Sequence, residues 1–505
     1  MLLEQVAKVS AEVAQTSARK KKVALLAQLL REVPVAERAI AARYLSGEVG
    51  HKTGIGYSTM SEARVPPAAA ATLELAGVDR RFAAIAAWKG AGSARARKDE
   101  YGALLAAATQ LEQGFLGAVV VGELRQGALD ALVVDALALA TGVAAKPIRT
   151  AYMLAGDLGV VAEAVLADGA AGAARFGLTL FRPILPMLAQ VADDARAALA
   201  TIGGEAALEW KLDGFRVQLH KDGDLVRAFS RSLNDVTASI PELIAAVRAL
   251  PANRLILDGE ALAYGPNGRP LPFQDTMRRK SAAGADSTLR LSVFDALLVD
   301  DQTLLALPAR ERIAALEAAA PGLAVPRLVT ADPDAATAFY EAALAEGHEG
   351  VMAKALDAPY DAGNRGAAWL KIKKVRRLDL VVLAVEWGSG RRKGLLSNLH
   401  LGARDGDGFA MLGKTFKGMT DEVLAWQTAQ LLAREVDRDG HIVHVRPELV
   451  VEIAFNDVLR SSQYRGGFAL RHARLVRYRP DKTVADSDPL DAVRAIAIAD
   501  GVIPP

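Results

Sequence analysis

The chain has 505 residues, 51% of them hydrophobic, with 61 basic and 59 acidic side chains and no cysteine. That length exceeds what one hydrophobic core usually serves, so about three domains of roughly 100–200 residues each are expected. The lack of cysteine excludes disulfides and cysteine-based zinc sites, and a net charge of +2 leaves any polyanion-binding face to local clusters of cations.

Residues 1–178 read as helices, because apolar side chains recur at three- and four-residue spacing, as in Val23, Leu26, Leu29 and Leu30. Charges interrupt every alanine-rich stretch, so none approaches the roughly 20 apolar residues of a membrane span. Glu4 and Lys8 break any signal-peptide core at the start. A soluble cytoplasmic protein is expected, nucleoid-associated if bacterial. Pro183 and Pro186 end the helical texture, and the first boundary is placed at 178/179.

From about 208 to 375 short strands alternate with helices. Phe215, Val217 and Leu219 alternate with Arg216, Gln218 and His220, and Asp222-Gly223 makes a hairpin turn. Lys211 precedes this strand beside an Asp-Gly bend, and Leu257-Asp258-Gly259-Glu260 is read at a strand end. A second boundary near 376 precedes an apolar β-run and a Gly- and Arg-rich loop. The remainder, 376–505, has the size of a small β-barrel with added helices.

Each short motif has an ordinary structural explanation by itself. Lys211 fits a surface turn, Asp258-Gly259 a bend, Phe294 a core aromatic and Glu349 a solvated acid. Lys371 and Lys373 fit the wet face of a strand whose Leu370 and Ile372 point inward. Their order along the chain is what carries information. Lys211-Leu212-Asp213-Gly214-Phe215-Arg216 is followed by Phe229-Ser230-Arg231, Leu257-Asp258-Gly259-Glu260 and Val293-Phe294-Asp295. Glu349-Gly350-Val351-Met352-Ala353-Lys354 and Trp369-Leu370-Lys371-Ile372-Lys373 then complete the series. Together they resemble the motifs of the covalent nucleotidyltransferases, which comprise DNA ligases, RNA ligases and mRNA capping enzymes.

That resemblance implies that Lys211 attacks a nucleotide phosphate. A lysine of pKa about 10.4 must first lose its proton, at a cost of about 4 kcal/mol at pH 7.5 unless its surroundings lower that pKa. Lys373 and a bound Mg²⁺ are the neighbouring cations expected to help. The resemblance further implies that Glu209 and Phe294 hold adenine and that Glu260 bonds the ribose. Arg216, Arg231, Arg365, Lys371 and Lys373 complete the nucleotide site, and Glu349 with Glu260 are the candidate ligands of Mg²⁺.

Near the end, Leu470-Arg471-His472-Ala473-Arg474 and Arg477-Tyr478-Arg479-Pro480-Asp481-Lys482 resemble the last motif of ATP-dependent DNA ligases, carried on an OB-fold domain. By that likeness Arg479 and Lys482 contact the ATP tail. Family members often have Phe-Pro where His472-Ala473 stand. In the helical part, Tyr44-Leu45-Ser46-Gly47, Gly54-Ile55-Gly56, Gly122-Glu123-Leu124-Arg125-Gln126-Gly127-Ala128 and Ala155-Gly156-Asp157-Leu158-Gly159 resemble the DNA-binding domain of ATP-dependent ligases; helix caps and close helix packing are their structural alternative.

The expectation is therefore a multidomain chain: an all-α DNA-binding domain (1–178), an α+β adenylation domain (179–375) and a β-barrel OB-fold domain (376–505). It would act as a monomer that uses ATP and Mg²⁺ to seal nicked double-stranded DNA in replication, recombination and repair. The other readings are an NAD-dependent ligase, which would be expected to carry a cysteine zinc site, an RNA ligase or capping-type enzyme, and a non-catalytic DNA clamp.

Overall fold

The computed structural model describes residues 1–124, 126–127, 129–265, 268–281, 288–361, 366–388 and 392–503. They form two compact units, one comprising Met1–Met187 together with Asp361, the other Leu188–Tyr360 and the chain beyond residue 365.

The first unit is helical, as its apolar spacing predicts. Helices Arg38–Leu45, Leu75–Ala87 and Gln110–Val120 meet where Tyr44 packs against Phe82 and Phe115, with ring centroids 6.4 and 6.5 Å apart. Burying such side chains stabilises the fold by about 1.5–3 kcal/mol apiece. Thr109 caps the helix Gln110–Val120, and the Glu112 carboxylate accepts the Thr109 N–H at 2.8 Å, closing a capping box. Asp157 caps Leu158–Ala174 and also pairs with Arg43 at 2.7 Å. In that cluster a Cβ on Gly159 would lie 2.5 Å from the Ala39 carbonyl, so close helix packing accounts for this glycine.

The second unit holds two five-stranded sheets. In the first, Trp369–Lys373, Gly350–Ala355, Ala206–Lys211 and Arg327–Thr330 are antiparallel neighbours in that order. In the second the order is Leu225–Ser230, Phe215–Asp222, Arg254–Tyr264, Thr288–Val299 and Gln302–Thr303. The expected hairpin forms, with Asp222 opposite Leu225 across a turn in which Gly223 has φ 56°. Lys211 precedes the strand Phe215–Asp222 beside an Asp213-Gly214 bend, as expected, and also ends a strand of its own in a different sheet. One expectation is corrected: Asp258-Gly259-Glu260 lies inside the strand Arg254–Tyr264 rather than at its end.

Beyond residue 375 the long strand Arg376–Trp387 pairs through its first half with Val450–Phe455 and through its second half with Leu396–Asp405 and Ile442–Val445. A strand that changes partners along its length curls the sheet, and the seven strands enclose a core that includes Leu380, Val382, Leu399, Leu401, Ile453 and Phe455. Helix Asp421–Leu432 buries Leu424 and Leu431 in the same core. No helix among the described residues is long and apolar enough to cross a membrane.

Candidate active site

The first sheet brings Lys211 and Glu349 together through its backbone ladder. Lys211 is the register partner of Gly350, and the Glu349 N–H donates to the Lys211 carbonyl at 3.0 Å. Two glycines make the approach possible. A Cβ at Gly350, whose φ is +144°, would sit 2.1 Å from the Ile372 carbonyl, and one at Gly214 would sit 2.1 Å from the Ala261 carbonyl. The neighbouring strand then adds Lys373, since Leu370 and Ile372 point into the core and leave Lys371 and Lys373 on the opposite face.

The resulting cluster is a buried carboxylate between two ammonium groups. Lys211 Nζ lies 2.5 Å from Glu349 Oε2, while Lys373 Nζ donates to Glu349 Oε1. Burial opposes the charge on Glu349, but Lys211 and then Lys373 outweigh it and hold the carboxyl below its usual range. For Lys211, burial works to lower the pKa, yet Glu349, and more weakly Glu260 and Asp213, hold the amine above its ordinary value. The expected depression of this pKa by neighbouring cations is thus not what the site provides: Lys373 spends its charge on Glu349, and Glu349 stabilises the ammonium form of Lys211.

Glu260 is half-buried opposite Arg216 on the adjacent strand. Burial pushes its carboxyl up to about 7 despite Lys211 and Arg216, which favour the charged form. Asp213 is likewise raised by burial and by Glu349, against Arg471, whose Nη1 donates to it at 3.0 Å. A cavity of about 470 Å³ opens beside these groups, lined by Asp213, Arg269, Phe273, His348, Glu349 and Arg471 among others.

A lysine held against a carboxylate at a strand end, with a second lysine and two further acids around it, suits phosphoryl chemistry. Comparison with known proteins identifies which. The profile of the ATP dependent DNA ligase domain matches residues 186–373, and that of the ATP dependent DNA ligase C terminal region matches 392–482. Proteins named probable DNA ligase from Anaeromyxobacter dehalogenans and Beutenbergia cavernae are 54% and 52% identical to this chain, each over 98% of it and over 99% and 100% of their own length. The chain belongs to the ATP-dependent DNA ligases. A solved structure titled Pmar-Lig_Pre shares the fold over 94% of this chain and 99% of its own, with a TM-score of 0.62 at 17% identity.

In this ligase the other residues singled out by sequence fall into three groups. Glu209, Phe294 and Arg216 form one linked cluster. Glu209 is 1% exposed, and its carboxylate is held by Arg327 Nε at 2.9 Å and Lys354 Nζ at 2.6 Å. Phe294 occupies a register shift between the strands Arg254–Tyr264 and Thr288–Val299, where Asp258 pairs with Asp295 but Gly259 pairs with Val293. Its carbonyl accepts from Lys354 at 2.8 Å, so one lysine ties Glu209 to Phe294. Arg216 stands over the Phe294 and Trp369 rings, 5.3 and 5.7 Å from their centroids.

Arg231 is exposed just beyond the strand Leu225–Ser230, and Lys371 is half-buried on its strand. Arg365 lies outside the described residues. The third group is the tail. Arg479 pairs with Asp379 at 3.1 Å and Asp481 at 2.6 Å, and Lys482 with Asp379 at 2.6 Å, so their charge is taken up by the C-terminal sheet's own carboxylates rather than by groups around Lys211. From that part of the chain it is Arg471 that reaches Asp213.

Sequence reasoning did not single out Arg327, Tyr360 or Lys354 as site members. Lys354 ends the motif Glu349-Gly350-Val351-Met352-Ala353-Lys354, which was a usable signal. Arg327 and Tyr360 stand in no motif: strand pairing brings in Arg327, and Tyr360 arrives on a loop whose backbone is tied to the Leu305 carbonyl.

Proposed function

We propose that this ligase works through a covalent Lys211–AMP intermediate. Lys211 Nζ attacks the α-phosphorus of ATP, forming a P–N bond as the bond to pyrophosphate breaks. The AMP then passes to the 5′-phosphate at a nick, freeing the lysine, and the 3′-hydroxyl attacks that phosphate and expels AMP. The observation that carries this reading is the Lys211–Glu349–Lys373 cluster, a nucleophile fixed by strand pairing beside a carboxylate that two cations share. Because Glu349 stabilises the ammonium form, the Lys211–Glu349 pair must loosen before attack, and the charge of the arriving triphosphate supplies a competing partner for the lysines.

Glu209 and Phe294 are proposed to line the adenine end, Glu260 to bond the ribose, and Arg216, Arg231, Arg365, Lys371 and Lys373 to serve the sugar and phosphates. Mg²⁺ needs only one or two protein carboxylates and takes its remaining ligands from water and phosphate. Glu349 and Glu260 are hard-oxygen donors of the right kind, although no group of three or more such side chains forms a ready cage among the described residues. Bound there, the ion would neutralise phosphate charge.

The proposed division is a helical DNA-binding domain to 178, an adenylation domain from 179 to 375 and an OB-fold domain from 376, acting on nicked duplex as a monomer. Sealing of a 5′-phosphorylated nick with ATP, NAD or GTP, together with label transfer from α-labelled ATP, tests the chemistry. ATP alone should support sealing and leave label on the protein through an acid-labile lysine bond. Duplex affinity should weaken with salt at a log–log slope of about −0.9 per phosphate neutralised, more steeply for the whole chain than for a chain starting near 179. Equal slopes would remove the DNA-binding role from the helical unit.

A further inference from the structure

Asp258 is 1% exposed, and a carboxylate so buried needs strong partners. It has two. Arg216 grips it bidentately, Nε to Oδ1 at 2.9 Å and Nη2 to Oδ2 at 2.5 Å. The second partner is Tyr360, whose hydroxyl donates to Asp258 Oδ2 at 2.8 Å and accepts from Arg216 Nη2 at 3.2 Å. One phenol oxygen therefore closes a triangle with both members of the ion pair.

Tyr360 is held independently of Arg216. Its backbone N–H donates to the Leu305 carbonyl at 2.9 Å, and its ring meets Trp369 edge-on at 5.9 Å. Two residues earlier, the Ala358 carbonyl accepts from Arg312 Nη1 at 2.9 Å, and Arg312 is itself locked to the buried Asp295 by contacts of 2.8 and 3.1 Å. The hydroxyl thus arrives at Asp258 on a rigid support. A carboxylate gripped only by Arg216 could rotate with it, whereas one anchored from a second side fixes the plane of the guanidinium between Phe294 and Trp369.

We propose that Tyr360 is a positioning residue, which sets Arg216 through Asp258 in the orientation that receives the nucleotide. The proposal rests on the reading of Arg216 as a nucleotide contact. Tyr360→Phe keeps the ring against Trp369 and removes only the hydroxyl. Self-adenylation should then show a rise in KM for ATP of roughly ten-fold, the size expected for one hydrogen bond to a charged partner, with a smaller change in kcat.

The decisive measurement is a cycle with Arg216→Lys, which keeps the charge but not the fork. In that background Tyr360→Phe should have no further effect on KM. An equal KM penalty in both backgrounds, or a fall in thermal midpoint with unchanged KM, would show a merely structural role and overturn the proposal. If Arg216→Lys raises KM while Tyr360→Phe does not, the proposal fails alone. If Arg216→Lys leaves KM unchanged, the reading of Arg216 fails with it.

Discussion

Lys211 and Arg479 are both cations held by carboxylates, yet the two regions are built differently. Lys211 ends one strand and Glu349 immediately precedes the neighbouring strand of the same sheet, its N–H bonded to the Lys211 carbonyl, and the Glu349 side chain is 6% exposed. Arg479 follows the strand Arg474–Tyr478 and grips Asp481, two residues away and 60% exposed, together with Asp379. The first pair is fixed wherever the sheet exists. The second is a network of side chains with no backbone ladder between them, sheltered at Asp379 and open at Asp481, whose charge-assisted bonds are exchangeable for phosphate oxygens. On the proposed reading, one region is assembled for chemistry and the other is held in reserve.

The largest effect should come from breaking the fixed region. Lys211→Ala should abolish self-adenylation and sealing, and Lys211→Arg should fail too, because a guanidinium keeps its proton. Persistent lysine-type labelling in the alanine variant would mean that the nucleophile lies elsewhere.

The reserve region should give a smaller and selective defect. Arg479→Ala or Lys482→Ala should slow self-adenylation by roughly ten-fold or more, because cations at the β- and γ-phosphates stabilise pyrophosphate departure. Joining of a pre-adenylated nick without ATP should be far less affected, since those phosphates are gone. Asp379→Asn, which frees Lys482 and removes one of the two carboxylates on Arg479, should spare self-adenylation. Parallel loss of both activities in folded Arg479→Ala and Lys482→Ala variants would assign these residues to DNA binding or stability instead.

What could be read in advance follows the same division. The order of motifs pointed to the ligase family, and the two-residue alternation placed Lys371 and Lys373 on one face, because both are local properties of the chain. The pairing of Lys373 with Glu349 was not legible, nor was the burial of Glu209 between Arg327 and Lys354. These depend on which strands become neighbours, here Trp369–Lys373, Gly350–Ala355, Ala206–Lys211 and Arg327–Thr330. The sign of the Lys211 shift was missed for the same reason. A count of nearby cations says nothing of the carboxylate that absorbs them.

That sign can be tested directly. Burial lowers the Lys211 pKa and Glu349 is the foremost influence raising it, so Glu349→Gln should leave burial less opposed and bring the pKa down. The rising limb of self-adenylation against pH should then move to lower pH, whatever happens to the maximal rate. An unmoved limb, or one displaced upward, would mean that Glu349 does not control the lysine's proton.

Glu260 gives the smallest expected effect and the finest test of how burial and charge compete in the fixed region. Its carboxyl is raised from 4.5 to about 7, with burial as the main cause and Lys211 and Arg216 insufficient to offset it. The folded state therefore binds a proton between those values that the unfolded chain has already released. By linkage, Glu260 costs the protein stability progressively as pH rises from about 4.5 to about 7, and the cost is constant above that window. Glu260→Gln has no such titration. Its thermal midpoint relative to the unmodified protein should climb through that window and level off above it, by a few degrees at most for a chain of this size. The same substitution should weaken ATP use if the carboxylate bonds the ribose, so stability and activity would move in opposite directions above pH 7. A midpoint difference that stays flat from pH 4.5 to 8 would mean that the arginine and lysine around Glu260 fully compensate its burial, and that this carboxylate is as settled in its site as Glu349 is in its own.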